Sequence, residues 1–494
     1  MTSPSGPHLA GAPAAAGELT APQRRALDSL LRASPVADAA GSLFSAAGHE
    51  LHLVGGSVRD ALLGRWGDDL DFATDARPEQ IRALVRDFGE ACWETGAAFG
   101  TIGVRRGGIR LEITTYRREA YEPASRKPAV RFGTSLTEDL SRRDFTINAM
   151  AVSLPGRHFA DPYSGVRDLA EGVLRTPGRP ADSFSDDPLR MLRAARFSAQ
   201  LGFDVDEAVM RAMTSMADRL RVVSVERVSG EFSKLLRAPA PRRGLELLVE
   251  TGVADHFLPE LARLRLAVDP AHRHKDVYEH TLTVLDQAMA LEDGAPDLIL
   301  RLAALLHDIG KPKTRALEPG GGVSFHHHEA VGRDMARARL TALRYPKQVV
   351  EDVARLVELH LRFHGYGDGQ WTDAAVRRYV ADAGSLLSQL HKLTRSDCTT
   401  RNRARAAALA GAYDDLEARI EQLAEREELS KIRPDLNGNE IMEVLGIPPG
   451  PLVGRGYAHL LGLRMERGHL DRADAVAELR AWFAEHRGSA DVKG

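Results

Sequence analysis

The strongest constraint on this fold is a single change of hydrophobic period near residue 180. Before it, short alternating runs are punctuated by glycine pairs, the pattern of strands and tight turns. Leu51, Leu53 and Val54 run into Gly55-Gly56, Asp69 to Phe72 alternates, and Thr101–Val104 and Ile109–Thr115 flank the hairpin turn Gly107-Gly108. After residue 183 the pattern is helical almost to the end, interrupted near 266–274, 316–325, 363–372 and 430–437. No fixed-period repeat runs through it, which excludes a solenoid. The expected class is α+β: a small mixed α/β head followed by a long all-α body.

The chain's 494 residues are too many for one ordinary domain. The expected divisions are a disordered tail over 1–23, a head over 24–175, a helical neck over 176–265, a second body over 266–425 and a helical tail over 426–494. Residues 1–23 lack the basic start and apolar core of a signal peptide. With 43% hydrophobic and 27% charged residues, the chain can bury large cores. No run approaches the roughly 18–20 apolar residues of a membrane helix, so no membrane partner is expected. A net charge of −3 means that contact with a polyanion depends on a local patch. Cys92 and Cys398 are the only cysteines, which excludes a disulfide scaffold and fits a reducing cytoplasm.

The most informative stretch is LVGGSVRDALLGRWGDDLDFAT, residues 53–74. Gly55 and Gly56 stand between a strand and a helix, where backbone amides can approach a phosphate. Arg59 follows on the first turn, within reach of the same anion. Asp69 and Asp71, two apart on a strand, point to one face. Side-by-side carboxylates repel unless a cation lies between them, and an oxygen-only ligand set suits Mg²⁺. Glu112, on the strand pair 101–115, is a candidate third carboxylate. Gly-Gly alone is only a turn. Phosphate cradle, arginine and Asp pair together describe metal-assisted phosphoryl chemistry. Further on, Asp187-Pro188 suits the start of a helix, and Arg190, Arg193 and Arg196 recur on one of its faces. Flanked by apolar residues, that stripe needs anionic or base partners.

These segments resemble the bacterial tRNA CCA-adding nucleotidyltransferases and their poly(A) polymerase relatives, which share a polymerase-β-like head. Residues 53–74 match the family's G-G-x-V-R-D…L-L-G…D-x-D signature; RRDFTINA (142–149) and DPLRMLRAAR (187–196) follow in order. The resemblance implies that Gly56 and Arg59, with Gly55 beside them, touch the incoming triphosphate. It implies that Asp69 and Asp71 hold two metals and that Arg143 and Asp144 contact the nucleotide sugar and phosphates. It assigns base reading to Asp187 and Arg190, with Arg193 and Arg196 holding phosphates or the base. Segment 116–135 corresponds to the family's flexible loop, implicated in the switch from C to A addition. Where the family usually has Glu-Asp before the proline, this chain has Asp186-Asp187, which keeps the charge. The implied reaction is template-independent addition of CCA to tRNA 3′ ends from CTP and ATP. A poly(A) polymerase, or an enzyme adding only CC or only A, is the alternative with the same chemistry.

The helical body carries a second constellation of His280, His307-Asp308, His326-His327-His328, His360 and Asp397. A mixed nitrogen and oxygen set suits a divalent transition metal. It resembles the HD phosphohydrolase domain, whose ligands map to His280, His307, Asp308 and Asp397. His328 and His360 stand where binuclear members of that superfamily place further ligands, and His326 and His327 read as bystanders. A metal-dependent phosphohydrolase with a nucleotide-binding head is the alternative of a different class. Segments 436–438 and 448–454 resemble the family's tail, which is associated with tRNA contact.

Overall fold

The computed structural model describes residues 19–65, 67–96, 100–120, 129–265, 276–319, 323–363, 366, 371–399, 402–427 and 433–486. They fall into two compact units, Met1–Pro259 and Glu260–Gly494. The first opens with α1 (Ala21–Ala33) and α2 (Pro35–Ala46). The expected tail ends earlier than residue 23. Thr20 accepts from the Gln23 amide while the Gln23 side chain reaches back to the Thr20 amide, and this capping box starts the helix at Ala21. Tail residues 1–18 lie outside the described ones.

The head strands are β1 (Leu51–Val54), β2 (Asp69–Thr74), β3 (Ala91–Gly96), β4 (Thr101–Arg106), β5 (Ile109–Thr115), β6 (Arg117–Ala120), β7 (Ala129–Phe132), β8 (Ala151–Leu154) and β9 (Phe159–Ala160). Seven of them form one sheet in the order β3-β4-β5-β2-β1-β8-β9, while β6 and β7 pair separately. Segment 116–135, expected as a loop, therefore folds at both ends; residues 121–128 lie outside the described ones. The sequence reading marks neither β3 nor β8, whose short mixed runs carry too little period to separate from other states. Helix α3 (Gly56–Leu62) connects β1 to β2, and α4 (Pro78–Val85) packs on β4 and β5. Strand alternation gives the sheet two faces. Leu70, Phe72, Ile102, Val104, Leu111 and Ile113 are buried on one. Asp69, Asp71, Arg110 and Glu112 lie on the other, which stays accessible.

Helices α5 (Leu136–Ser141) and α6 (Gly165–Glu171) complete the head. The neck follows as α7 (Pro180–Asp186), α8 (Arg190–Leu201), α9 (Glu207–Met216), α10 (Val225–Leu236) and α11 (Pro241–Glu250). Helix α8 packs against α10 and α11. A two-residue parallel pair, β10 (Val173–Leu174) with β11 (Asp204–Val205), joins head to neck inside the first unit. That pair is too short to leave a trace in hydrophobic period.

In the second unit α12 (Pro259–Arg263), α13 (Val277–Ala290), α14 (Leu298–Leu306) and α15 (Lys311–Thr314) precede a small hairpin, β12 (Ala316–Leu317) with β13 (Val323–Ser324). Then come α16 (His328–Ala342), α17 (Lys347–Leu359), α18 (Asp373–Ala383), α19 (Leu387–Asp397) and α20 (Arg403–Glu427). Helix α14 reads LILRLAALL, apolar almost all round, and accordingly sits in the centre against α13, α17 and α19. The tail is α21 (Gly438–Leu445), α22 (Pro451–Arg467) and α23 (Arg472–His486), closed around Leu436, Ile441, Leu460 and Leu479. No described helix is long and apolar enough to cross a membrane.

Candidate active site

Gly55 takes φ +70°, a backbone that side-chain-bearing residues avoid. A Cβ there would stand 2.8 Å from Nη1 of Arg143 and 3.6 Å from Oδ2 of Asp71. The bend thus brings a cradle glycine, an acid of the pair and an arginine of the second motif together. Ser57 ties α3 to the acids: its hydroxyl accepts from the Asp71 amide at 3.0 Å and lies 3.4 Å from the Asp69 carbonyl, to which it donates. In the parallel ladder Asp71 stands opposite Glu112, and Asp69 opposite Arg110. Three carboxylates therefore share the open face. Asp71 reaches solvent, yet the protein packed around it raises its carboxyl above the ordinary range. Arg143 opposes that rise, and Glu112 and Asp69 add to it. Oxygen-only donors that repel one another and face water fit a hard divalent cation.

Arg59 is only 4% exposed, and its Nη2 lies 3.6 Å from where a Cβ on Gly56 would stand. It forks onto Asp60 at 2.9 and 2.8 Å, donates to Asn148 at 2.7 Å and lies 5.0 Å from the Phe197 ring centre. It braces α3 against the turn Thr146–Asn148 and against α8. Asp144 is the hub of the second motif. It accepts from the Phe145 amide at 2.8 Å, from Asn148 Nδ2 at 2.9 Å, and from Arg193 Nε at 2.7 Å and Nη2 at 2.5 Å. Burial works against its charge, but Arg193 and Asn148 hold the carboxyl far below the usual range.

The arginine stripe of α8 does share one face, and its partners belong to the fold. Arg190 donates to Ser183 Oγ at 2.8 Å and to the Arg142 carbonyl. Arg193 takes Asp144, and Arg196 donates to Glu231 of α10 at 2.6 Å while lying 4.0 Å over Phe197. Burial lowers the Arg196 pKa, with Glu231 pulling the other way. Asp187 has two roles: Oδ1 accepts from the Leu189 amide at 3.1 Å, capping the turn into α8, and Oδ2 takes Arg227 at 2.6 Å.

In the second unit the histidines converge. Nδ1 of His307, His328 and His360 donates to the carbonyls of Ala304, Phe325 and Val357 at 2.8, 2.8 and 2.7 Å, and Nδ1 of His280 lies 3.0 Å from Thr399 Oγ1. Each imidazole is thereby locked with Nε2 turned to the carboxylates. Asp397 Oδ1 lies 2.9 Å from His280 and 3.6 Å from His307. Asp308 Oδ2 faces His307 at 3.2 Å and His280 at 3.5 Å, while its Oδ1 faces His328 at 3.3 Å and His360 at 4.0 Å. Two metal-competent groups result, His280/His307/Asp397 and Asp308/His328/His360. Burial disfavours a charged His307, yet Asp308 and then Asp397 lift its pKa to about 10, a measure of how strongly the carboxylates demand positive charge. Burial, then His307, push His360 down to about 4, which keeps it a neutral ligand. Asp308 Oδ1 and Nε2 of both His328 and His360 are buried without a hydrogen bond. Orphaned donor atoms of this kind fit divalent cations. His326 and His327 are exposed and outside the cluster.

Three family models match the chain: the Poly A polymerase head domain over 51–175, the probable RNA and SrmB-binding site of polymerase A over 202–264, and the HD domain over 277–428. The A-adding tRNA nucleotidyltransferase of Deinococcus radiodurans is 34% identical over 446 residues, covering 88% of this chain and 96% of that one. This chain belongs to the tRNA nucleotidyltransferase family. A further member, the CCA-adding enzyme of Geobacillus sp., is 45% identical over 207 residues, 42% of this chain and 50% of its own length. Among solved structures, the Bacillus stearothermophilus CCA-adding enzyme in complex with CTP matches with a TM-score of 0.66 at 24% identity, covering 96% of this chain and 100% of that one. It shares the fold. The head and HD domains imply dependence on divalent metal.

Several residues of this nucleotidyltransferase escaped the sequence reading. Ser57 and Asn148 stand inside the recognised motifs, where position alone could have singled them out. Glu231, Arg227 and Thr399 reach the site from distant helices or loops and carry no local signal. Lys311, which donates to Asp308 Oδ2 at 2.6 Å, lies three residues after it.

Proposed function

We propose that this nucleotidyltransferase adds CCA to tRNA 3′ ends, using CTP and then ATP. The observation that carries the reading is the convergence of Asp69, Asp71 and Glu112 beneath Gly55 and Arg143. The RNA 3′-oxygen forms a bond to the α-phosphorus, the bond to the β-phosphate oxygen breaks, and pyrophosphate leaves; the hydroxyl proton passes to solvent. Mg²⁺ held by Asp69 and Asp71, with Glu112 beside them, would supply the charge that activates the hydroxyl and neutralises the triphosphate. Gly55 and Gly56 leave room for the phosphates, and Arg143 faces the same space. Asp187 and Arg190 are suited to the base: cytosine and adenine each present an amine donor beside a ring-nitrogen acceptor, which a carboxylate and a guanidinium complement. To read it, Asp187 would exchange Arg227, and Arg190 would exchange Ser183, for the base edge.

A second reading, addition of A alone or of CC alone, is supported by 34% identity along nearly the whole chain to an A-adding enzyme and equally to a CC-adding one. One assay separates them. A tRNA transcript lacking CCA, given Mg²⁺ with CTP and ATP singly and together, should grow by three nucleotides and stop. Growth that stops at CC would replace CCA addition with CC addition, growth only on a transcript already ending in CC would replace it with A addition, and a long adenylate ladder would replace all three with poly(A) synthesis.

The HD cluster is proposed to hold two divalent transition ions and to support phosphoester hydrolysis. Metal analysis after loading with Mn²⁺, Co²⁺ or Ni²⁺ should find about two ions per chain. Asp308→Ala, which removes the carboxylate facing both groups, should bring that to zero, while His360→Ala should leave about one. Equal metal content in the wild type and Asp308→Ala would discard the site.

A further inference from the structure

A row across four neighbouring strands holds a feature of the open head face that the proposed chemistry leaves unused. Trp93 on β3 pairs with Gly103 on β4, Gly103 pairs with Glu112 on β5, and Glu112 pairs with Asp71 on β2. Residues in one such row point to the same face. Gly103 has no side chain, and the indole of Trp93 lies across it. A Cβ on Gly103 would fall 2.1 Å from Trp93 Cε2. The glycine thus acts as a slot in which the ring lies over the sheet, directed along the row toward the acids. One row away, Arg110 holds its guanidinium 5.4 Å from the Trp93 ring centre and its Nε 3.7 Å from Asp69 Oδ1, and the side chain is 55% exposed. Trp93 itself is half-buried. A strip of acid, guanidinium and indole therefore runs outward from the acid pair along an accessible face.

We infer that Trp93 and Arg110 seat the 3′-terminal segment of the RNA acceptor, the indole stacking a base and the guanidinium taking a backbone phosphate. This rests on the nucleotidyltransferase reading of the Asp pair. Two strand spacings separate Gly103 from Asp71, about 10 Å. That is of the order of the distance from a 3′-hydroxyl at the acids to the preceding base. Aromatic stacking accepts every base, which suits an acceptor end whose last residue changes after each addition. The seat also lies on continuous surface with the acids, and Arg110 supplies positive charge beside them for a polyanion.

The test uses the full-length enzyme and two independent readouts. In steady-state assays with a tRNA lacking CCA, Trp93→Ala should raise KM for the RNA about tenfold and leave KM for CTP within about twofold. Trp93→Phe, which keeps a ring, should recover most of the loss. An unchanged KM for RNA would reduce Trp93 to a cover over Gly103, and an equal rise in KM for CTP would move the platform to the nucleotide; either overturns the inference. The second readout needs no catalysis. The chain has four tryptophans, so the difference between wild type and Trp93→Phe isolates one of them. A short oligoribonucleotide ending in CC should quench the wild type more than Trp93→Phe; equal quenching overturns the seat even where no addition is observed. A wild type that quenches through Trp93 yet adds no nucleotide would fail the catalytic reading and leave the RNA seat standing.

Discussion

Asp71→Asn is expected to cut nucleotide addition at least about 10³-fold while leaving the protein as stable as the wild type or slightly more so. The two effects have opposite signs for one reason. Asp71 is crowded by protein and repelled by Glu112 and Asp69, so its carboxyl is raised above the ordinary value even with Arg143 near. A carboxylate with a raised folded pKa costs stability at every pH where it is ionised. The amide keeps the shape and the backbone clasp of Ser57, because Ser57 binds the main chain of Asp71 and not its side chain. What is lost is the charge that draws a divalent cation. Addition rates on a tRNA lacking CCA, set beside thermal melts in metal-free buffer, check both halves. A large drop in Tm alongside the lost activity would mean that Asp71 holds the head together structurally.

The sequence carried the parts of this site that are written locally. The Gly55 bend needs a glycine, the two-residue spacing of Asp69 and Asp71 puts both on one face, and the hairpin turn Gly107-Gly108 fixes β4 against β5. Each is decided within a few residues of itself. The α8 stripe was half legible. Its three-residue spacing showed that Arg190, Arg193 and Arg196 share a face and need anionic partners, but not that Asp144 and Glu231 would supply them. Those partners lie 49 and 35 residues away in the chain, and nothing in either neighbourhood reports the pairing. Arg59 shows the same limit from the other side. Motif position suggested a phosphate contact but not that Asp60 beside it and Asn148 from another motif would bind its guanidinium. The row Trp93–Gly103–Glu112–Asp71 depends on strand order β3-β4-β5-β2, which a reading that missed β3 could not assemble.

The HD cluster was legible for a different reason. His307-Asp308 are adjacent, and His280, His328, His360 and Asp397 are carried by helices of one core, in which α13, α17 and α19 pack on α14 and α16 packs on α17. A buried core drags the polar residues at helix ends into one place, so ordered histidines at such ends carry more information than a lone histidine would. The orientation of each ring was not legible. It is set by carbonyls one turn back, Ala304, Phe325 and Val357, and backbone carbonyls leave no mark on a sequence.

Asp144→Ala should cost the first unit about 3–5 kcal/mol at neutral pH, the scale expected when one member of a buried ion pair is removed. Asp144 is 7% exposed and serves Arg193, Asn148 and the Phe145 amide together. Without it, the one ion-pair partner left to Arg193 within 4 Å among the described residues is Glu231 at 3.9 Å, and Glu231 already accepts from Arg196. Asp144 lies in the head motif and Arg193 on α8, so the loss would loosen the neck from the turn that carries Arg143, and addition should fall with stability. The ionic origin has its own signature. Because the folded pKa is depressed, the stabilisation is complete above the unfolded value of about 3.9 and is lost as pH falls through the folded pKa. Urea melts of wild type and variant should therefore differ by a constant amount from about pH 5 to 8 and converge below about pH 4. A gap that persisted undiminished in acid would assign the loss to packing, and no gap at pH 7 would mean that Arg193 repairs itself with Glu231. Asp144→Asn sharpens the comparison: it keeps an acceptor for the Phe145 amide but has no charge for Arg193, and it should fall between the other two at pH 7.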